Sequence, residues 1–133
     1  MIRQQAERVE EMENPHKGVT GLRRIWRAIG YSLDGLLVAY RGEAAFRQLV
    51  WLAAVLVPLA FVLPVNSLER ALLVGCVLMS LVVELLNSAI EAAIDRISLE
   101  RHPLSKASKD MGSAAQMISL IIIAVVWGLV LVG

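Results

Sequence analysis

Two hydrophobic patterns follow one another along the chain. In the first, Leu22, Ile25, Trp26, Ile29, Leu33, Leu36, Leu37 and Tyr40 recur at steps of three and four. This spacing predicts a helix over residues 19–41 with one apolar face. Arg23, Arg24 and Arg27 occupy its other faces. A basic amphipathic helix with Trp on its apolar side suits a membrane surface.

The second pattern is apolar all round. Residues 49–65 form a 17-residue run without a charge. As a helix it reaches roughly 25 Å, near the lower limit for spanning a bilayer. Pro58 lies inside it, which membrane helices tolerate, and Pro64 and Asn66 mark its end. Residues 66–70 read as a short polar connection. Residues 71–83 are again apolar, too short to span alone, but the helical pattern continues through Glu84, Asn87, Ser88 and Glu91 to Asp95-Arg96. A polar loop is expected over residues 98–110. Residues 111–132 then run for 22 positions without a charge, a third span of roughly 33 Å.

The predicted fold is therefore an all-α membrane protein. It comprises a polar tail (residues 1–17) and one membrane domain (residues 18–133). The domain holds a surface helix at 19–41 and spans at about 48–65, 70–95 and 111–132. The tail alternates charges and lacks an apolar stripe, so no secretory signal is expected there.

Composition agrees with this reading. Hydrophobic residues make up 57% of 133, and mean hydropathy is +0.64. A soluble domain of this size has too little volume to hide that much apolar surface. The single cysteine, Cys76, excludes an intramolecular disulfide. Net charge is +1, but placement matters more. Arg70 alone stands between spans one and two, and no basic residue follows span three. All other Lys and Arg lie before span one or between spans two and three. The positive-inside rule then puts the N-terminus in the cytoplasm and the C-terminus outside.

The second span carries the candidate chemistry. Glu84, Glu91 and Asp95 fall within about 20° of one line on a helix. Ser88 and Asn87 lie beside them, and Ser80 stands one turn before. A carboxylate near hydrocarbon is costly unless paired, hydrated or protonated. The stripe thus reads as a site for cations or protons; the alternative is a helix that leaves the membrane before Glu84. Glu43, just before span one, and Lys109-Asp110-Met111-Gly112-Ser113, at the start of span three, are expected to face it. Three carboxylates can neutralise Mg2+, which prefers oxygen ligands shared with phosphates. Lys109 near a helix N-terminus, with Gly112 and Ser113, suits a phosphate. No P-loop, dinucleotide or protein-kinase signature is present.

Three segments carry a resemblance: Glu43-Ala44-Ala45-Phe46-Arg47-Gln48; Val83 to Glu91 with Asp95-Arg96 following; and Lys109 to Ala115. In order and at this spacing they resemble the prokaryotic integral-membrane diacylglycerol kinases, over about residues 20–132. The resemblance implies a homotrimer with active sites shared between chains, in the inner membrane of a bacterium. It implies transfer of the γ-phosphate of ATP, with Mg2+, to diacylglycerol, and no nucleic-acid partner. Glu84 would be the general base and Asn87 its support. Glu43 and Glu91 would hold Mg2+ and the ATP phosphates. Arg24, Tyr31, Glu100, Arg101, His102, Lys109 and Asp110 would contact ATP. Arg24, Ala45, Arg47, Gln48, Glu84 and Ser113 would contact lipid. The chain departs from the family pattern at Gly42, where Asn precedes the Glu, at Asp34, where Lys is familiar, and at Arg101, which replaces an aromatic. Competing expectations are an undecaprenol kinase of the same fold, a proton or cation conductor, and a noncatalytic subunit.

Overall fold

The computed structural model describes residues 21–133, so the predicted tail lies outside the described residues. All regular structure within them is helical: α1 (Leu22–Gly42), α2 (Ala44–Val62), α3 (Ser67–Ile97) and α4 (Pro103–Val132). The chain divides into two compact units, Met1–Gly35 and Leu36–Gly133.

The first unit is the leading part of α1. Gly21 precedes it at φ +74°, in the left-handed region that glycine enters without cost, and accepts the Arg24 N–H at 3.1 Å. The apolar positions share one helix face as the spacing predicts. A single helix has no second layer of its own to bury that face, so it suits a bilayer surface.

The second unit contains α2, α3 and α4, all three long and apolar enough to cross a membrane. The third helix packs against both others, whereas α2 and α4 do not meet among the described residues. Inside a bilayer, lipid tails are as apolar as Leu, so burial alone does not hold helices together. Close van der Waals packing and hydrogen bonds must do so. Small residues at the interfaces, Ala53 and Ala60 on α2, Ser80 on α3 and Gly112 and Ser119 on α4, are buried and allow that approach.

Helix ends correct the expected boundaries. Span one ends at Val62, not Val65, because Pro64 pushes Leu63 into extended geometry (φ −63°, ψ 142°). The expected connection 66–70 is mostly helix. Asn66 and Glu69 form a capping box: Glu69 N–H donates to Asn66 Oδ1 at 3.0 Å, and Asn66 N–H donates to Glu69 Oε2 at 2.9 Å. Arg70 then reaches back and donates to the carbonyls of Ala60, Leu63 and Val65 at 3.1–3.3 Å. The Ala60 carbonyl is an orphan acceptor in the last turn of α2, and those of Leu63 and Val65 lie just beyond it. The place of Arg70 in the connection thus has a structural reason.

The predicted loop 98–110 is also shorter. The α4 helix starts at Pro103, at the position where a missing N–H does no harm, and His102 is its N-cap, Nδ1 accepting from Leu104 N–H at 3.2 Å. Lys106, Lys109 and Asp110 are therefore helical.

The α3–α4 hairpin runs antiparallel in a regular register. Trp127 Nε1 donates to Leu73 O at 3.3 Å, Ser80 and Ser119 hydroxyls meet at 2.9 Å, Asn87 abuts Gly112, and Lys109 pairs with Asp95 at 2.6 Å. On α3 the buried positions are Leu73, Val77, Ser80 and Glu84, at steps of four, three and four. Glu84 thus sits on the helix face that carries the core.

Candidate functional site

Glu84 is 4% exposed, a carboxyl group on a face otherwise occupied by core residues. It lies within Coulombic range of Glu91 and Glu43. One turn toward the hairpin end, Asn87 Nδ2 donates to Glu91 Oε1 at 3.2 Å. This bond fixes the Glu91 carboxylate and the orientation of the Asn87 amide. Asn87 Oδ1 is left buried without a partner, and so is Ser88 Oγ between Glu84 and Glu91. Buried orphan polar atoms cost about 1–3 kcal/mol each, so two of them beside a buried carboxyl mark a place that is incomplete without another molecule.

Gly112 belongs to this arrangement in a way the sequence did not suggest. A Cβ there would stand 2.0 Å from Asn87 Oδ1. The glycine allows the close approach of α4 to Asn87. The expectation of Lys109 beside a helix N-terminus is corrected. The N-terminus is at Pro103, and Lys109 lies nearly two turns inside α4. Its ammonium is paired with Asp95 at 2.6 Å, while Lys106 pairs with Asp110.

Glu43 is the N-cap residue of α2, at the break between α1 and α2 (φ −108°, ψ 116°). Its side chain makes no capping hydrogen bond, so the carboxylate is not committed to the helix. Arg47, one turn on, donates through Nη1 to the carbonyls of Tyr40 and Arg41 at 3.0 Å each. It thereby ties the end of α1 to the start of α2. Ala45 and Gln48 are exposed on the first turns of α2, and Ser113 is exposed beside Gly112 on α4.

A second cluster surrounds the α3–α4 turn. Glu100, Arg101, His102, Lys109 and Asp110 line one cleft of about 830 Å³, with Asp95, Pro103 and Lys106. Five of the predicted nucleotide contacts are thus brought together by the hairpin. Glu43 and Glu91 do not line that cleft. Arg24 and Tyr31 belong to the first unit, where a spacing of seven puts them on one face of α1.

The fit to a divalent cation rests on the donor set. Among the described residues no three His, Cys, Asp or Glu side chains converge to cage a metal. Mg2+ seldom needs such a cage: it takes one or two carboxylates and fills its octahedron with phosphate oxygens and water. Glu91, fixed by Asn87, and the uncommitted Glu43 are hard oxygen donors of that kind.

Sequence reading passed over a polar network on the third span. Gln116 Nε2 donates to Ser80 Oγ at 3.2 Å, and Ser119 Oγ lies 2.9 Å from Ser80 Oγ and 2.8 Å from Gln116 O. The signal was present as two polar residues three apart in an uncharged run.

The comparisons with known proteins agree with the motifs. The family described as prokaryotic diacylglycerol kinase matches residues 30–131. The chain is 62% identical over 120 residues to a diacylglycerol kinase of Pseudomonas aeruginosa, covering 90% of this chain and 98% of that one. It is 46% identical to diacylglycerol kinases of Haemophilus influenzae (82% of this chain, 92% of that one) and of Escherichia coli K12 (84% and 92%). With a match across most of the chain and identity of this order, the chain belongs to the prokaryotic diacylglycerol kinase family.

Proposed function

We propose that this protein is an ATP-dependent kinase that transfers the γ-phosphate of ATP to the hydroxyl of diacylglycerol, giving phosphatidic acid. The observation that carries the reading is the buried Glu84, on one helix face with Asn87 and Glu91 in a chain of this family. Phosphoryl transfer asks a protein for positioning, for charge neutralisation and for a group that receives the hydroxyl proton. Glu84 is the base: its carboxylate accepts the proton of the lipid hydroxyl as that oxygen attacks the γ-phosphorus. Asn87 holds Glu91 by its Nδ2, while its Oδ1 lies close against Gly112.

Glu43 and Glu91 would hold Mg2+, which when bound neutralises the phosphate charge. Lys109, Asp110, Glu100, Arg101 and His102 would meet ATP at the hairpin cleft. The Lys109–Asp95 pair is half-exposed, and such pairs are worth about 1 kcal/mol or less, so a phosphate can take the ammonium at small cost. On resemblance, Arg24 and Tyr31 would contact nucleotide and headgroup, and Ala45, Arg47, Gln48 and Ser113 the lipid.

The same reading places the protein in the inner membrane of a bacterium. The N-terminus and the α3–α4 turn would be cytoplasmic and the C-terminus outside, with three chains forming a trimer that shares its sites. Among the described residues helix α3 packs against two helices, which leaves faces for further chains.

The test is turnover of ATP by the purified protein with added lipid and Mg2+, diacylglycerol and undecaprenol side by side. Phosphatidic acid as the dominant product supports the reading. Exclusive phosphorylation of undecaprenol, or proton flux in liposomes without ATP and no lipid product, refutes it.

A further inference from the structure

The network of Ser80, Ser119 and Gln116 takes no part in the reaction as described above. Ser80 is 0% exposed and Ser119 6%. Each hydroxyl has one hydrogen to give. Ser119 Oγ donates to the Gln116 residue, to its backbone O at 2.8 Å with the side-chain Oε1 a longer second acceptor at 3.2 Å. The 2.9 Å contact between the hydroxyls is then donated by Ser80, whose oxygen in turn receives Gln116 Nε2–H at 3.2 Å. The hydroxyl hydrogens are each used once, and the amide is held in one orientation. The other N–H of Gln116 has no partner among the described residues. Gln116 is only half-buried and lies within a helix long and apolar enough to cross the membrane. Hydrocarbon offers that N–H no acceptor, so leaving it unpaired is costly.

The register of the hairpin fixes its depth. Ser80 stands opposite Ser119, and Asn87 opposite Gly112. The backbone of Gln116 is therefore level with Val83, about 1.5 Å to the outer side of Glu84, and its side chain reaches further that way to Ser80. In a diacylglycerol the ester carbonyls lie a few bonds from the free hydroxyl, on the acyl side and so deeper in the bilayer. A polyprenol has only hydrocarbon at that level.

We infer that Gln116, oriented by Ser80 and Ser119, donates a hydrogen bond to an ester carbonyl of the lipid substrate and so selects glycerolipid esters over plain lipid alcohols. This rests on the reading that Glu84 meets the lipid hydroxyl. The experiment measures kcat/KM of the full-length protein for dioleoylglycerol and for its diether analogue, which keeps the hydroxyl and chains but lacks the carbonyls. The wild type should favour the ester about tenfold, the size of one hydrogen bond. Gln116→Leu should bring the ester-to-ether ratio close to one, and Ser80→Ala should lower it less. Damage to folding lowers both rates and leaves the ratio in place. A wild-type ratio near one, or a ratio unchanged in Gln116→Leu, overturns the inference. Absence of phosphorylation of either lipid by the wild type would instead defeat the kinase reading.

Discussion

The two halves of α3 are built on one helical stripe to opposite ends. In the half that the proposed orientation makes the outer one, from Ser67 to Ser80, the polar groups at the helix start and its packing face are paired. The capping box closes the helix start, Arg70 satisfies the end of α2, Trp127 bonds to Leu73 O, and Leu73 and Val77 are almost fully enclosed. In the inner half, from Glu84 onward, the same face carries a buried carboxyl and two buried orphan atoms, Asn87 Oδ1 and Ser88 Oγ. Satisfied polar atoms hold the hairpin together. Unsatisfied ones lie beside Glu84, where the proposed reaction takes place. The contrast teaches that stability and chemistry are separated along the helix, not across it.

The largest expected effect breaks the inner half alone. Glu84→Gln keeps shape and removes the proton acceptor, so phosphate transfer should fall by about 10³-fold. Helicity and assembly should stay as in the wild type. Activity within tenfold of the wild type in a detergent assay would remove Glu84 from the role of base.

Next comes the point where the halves of the site touch α4. Gly112→Ala places a methyl on Asn87 Oδ1, so Asn87 or the helix must move. Displacement by an ångström at a reacting centre can cost about 10²-fold in rate. A lipid-phosphorylation assay should show a fall of that order, with a lowered unfolding temperature besides. Full activity would mean that Asn87 need not stay where α4 holds it.

The converse perturbation belongs to the outer half. Leu73→Ala opens a cavity where the side chain is 0% exposed. The transfer share of the usual cost is small in lipid, but the packing share remains, about 2 kcal/mol. Denaturation in micelles should register it, while kcat changes by less than about threefold. A larger loss of kcat than of stability would erase the division between the halves.

The smallest effect is expected at the exposed end. Asp95→Asn breaks the pair with Lys109, at a stability cost of about 1 kcal/mol or less. With the ammonium released, KM for ATP should hold or fall slightly. A severalfold rise in KM would show that Asp95 positions Lys109 for the nucleotide.

How legible all this was varies by residue. The stripe of Glu84, Asn87 and Glu91 was readable because helical spacing alone puts those positions on one face. The three spans were readable because a bilayer demands long uncharged runs. The end of α2 and the starts of α3 and α4 were misjudged by three to eight residues. There the deciding groups were local: Pro64 after Leu63, the capping box of Asn66 with Glu69, and His102 before Pro103, which polarity alone reads as loop. The close approach at Gly112 was not readable because its reason is a neighbour on another helix.

By itself, then, the sequence determined periodicity, and with it the helices, their faces, the membrane and the motifs of the family. Tertiary structure alone decided partners. Asn87 against Gly112, Lys109 on Asp95, Gln116 on Ser80 and Glu84 on the core face all depend on the register between α3 and α4. That register is set by packing of small residues and by a handful of hydrogen bonds across the interface, which no single helix encodes.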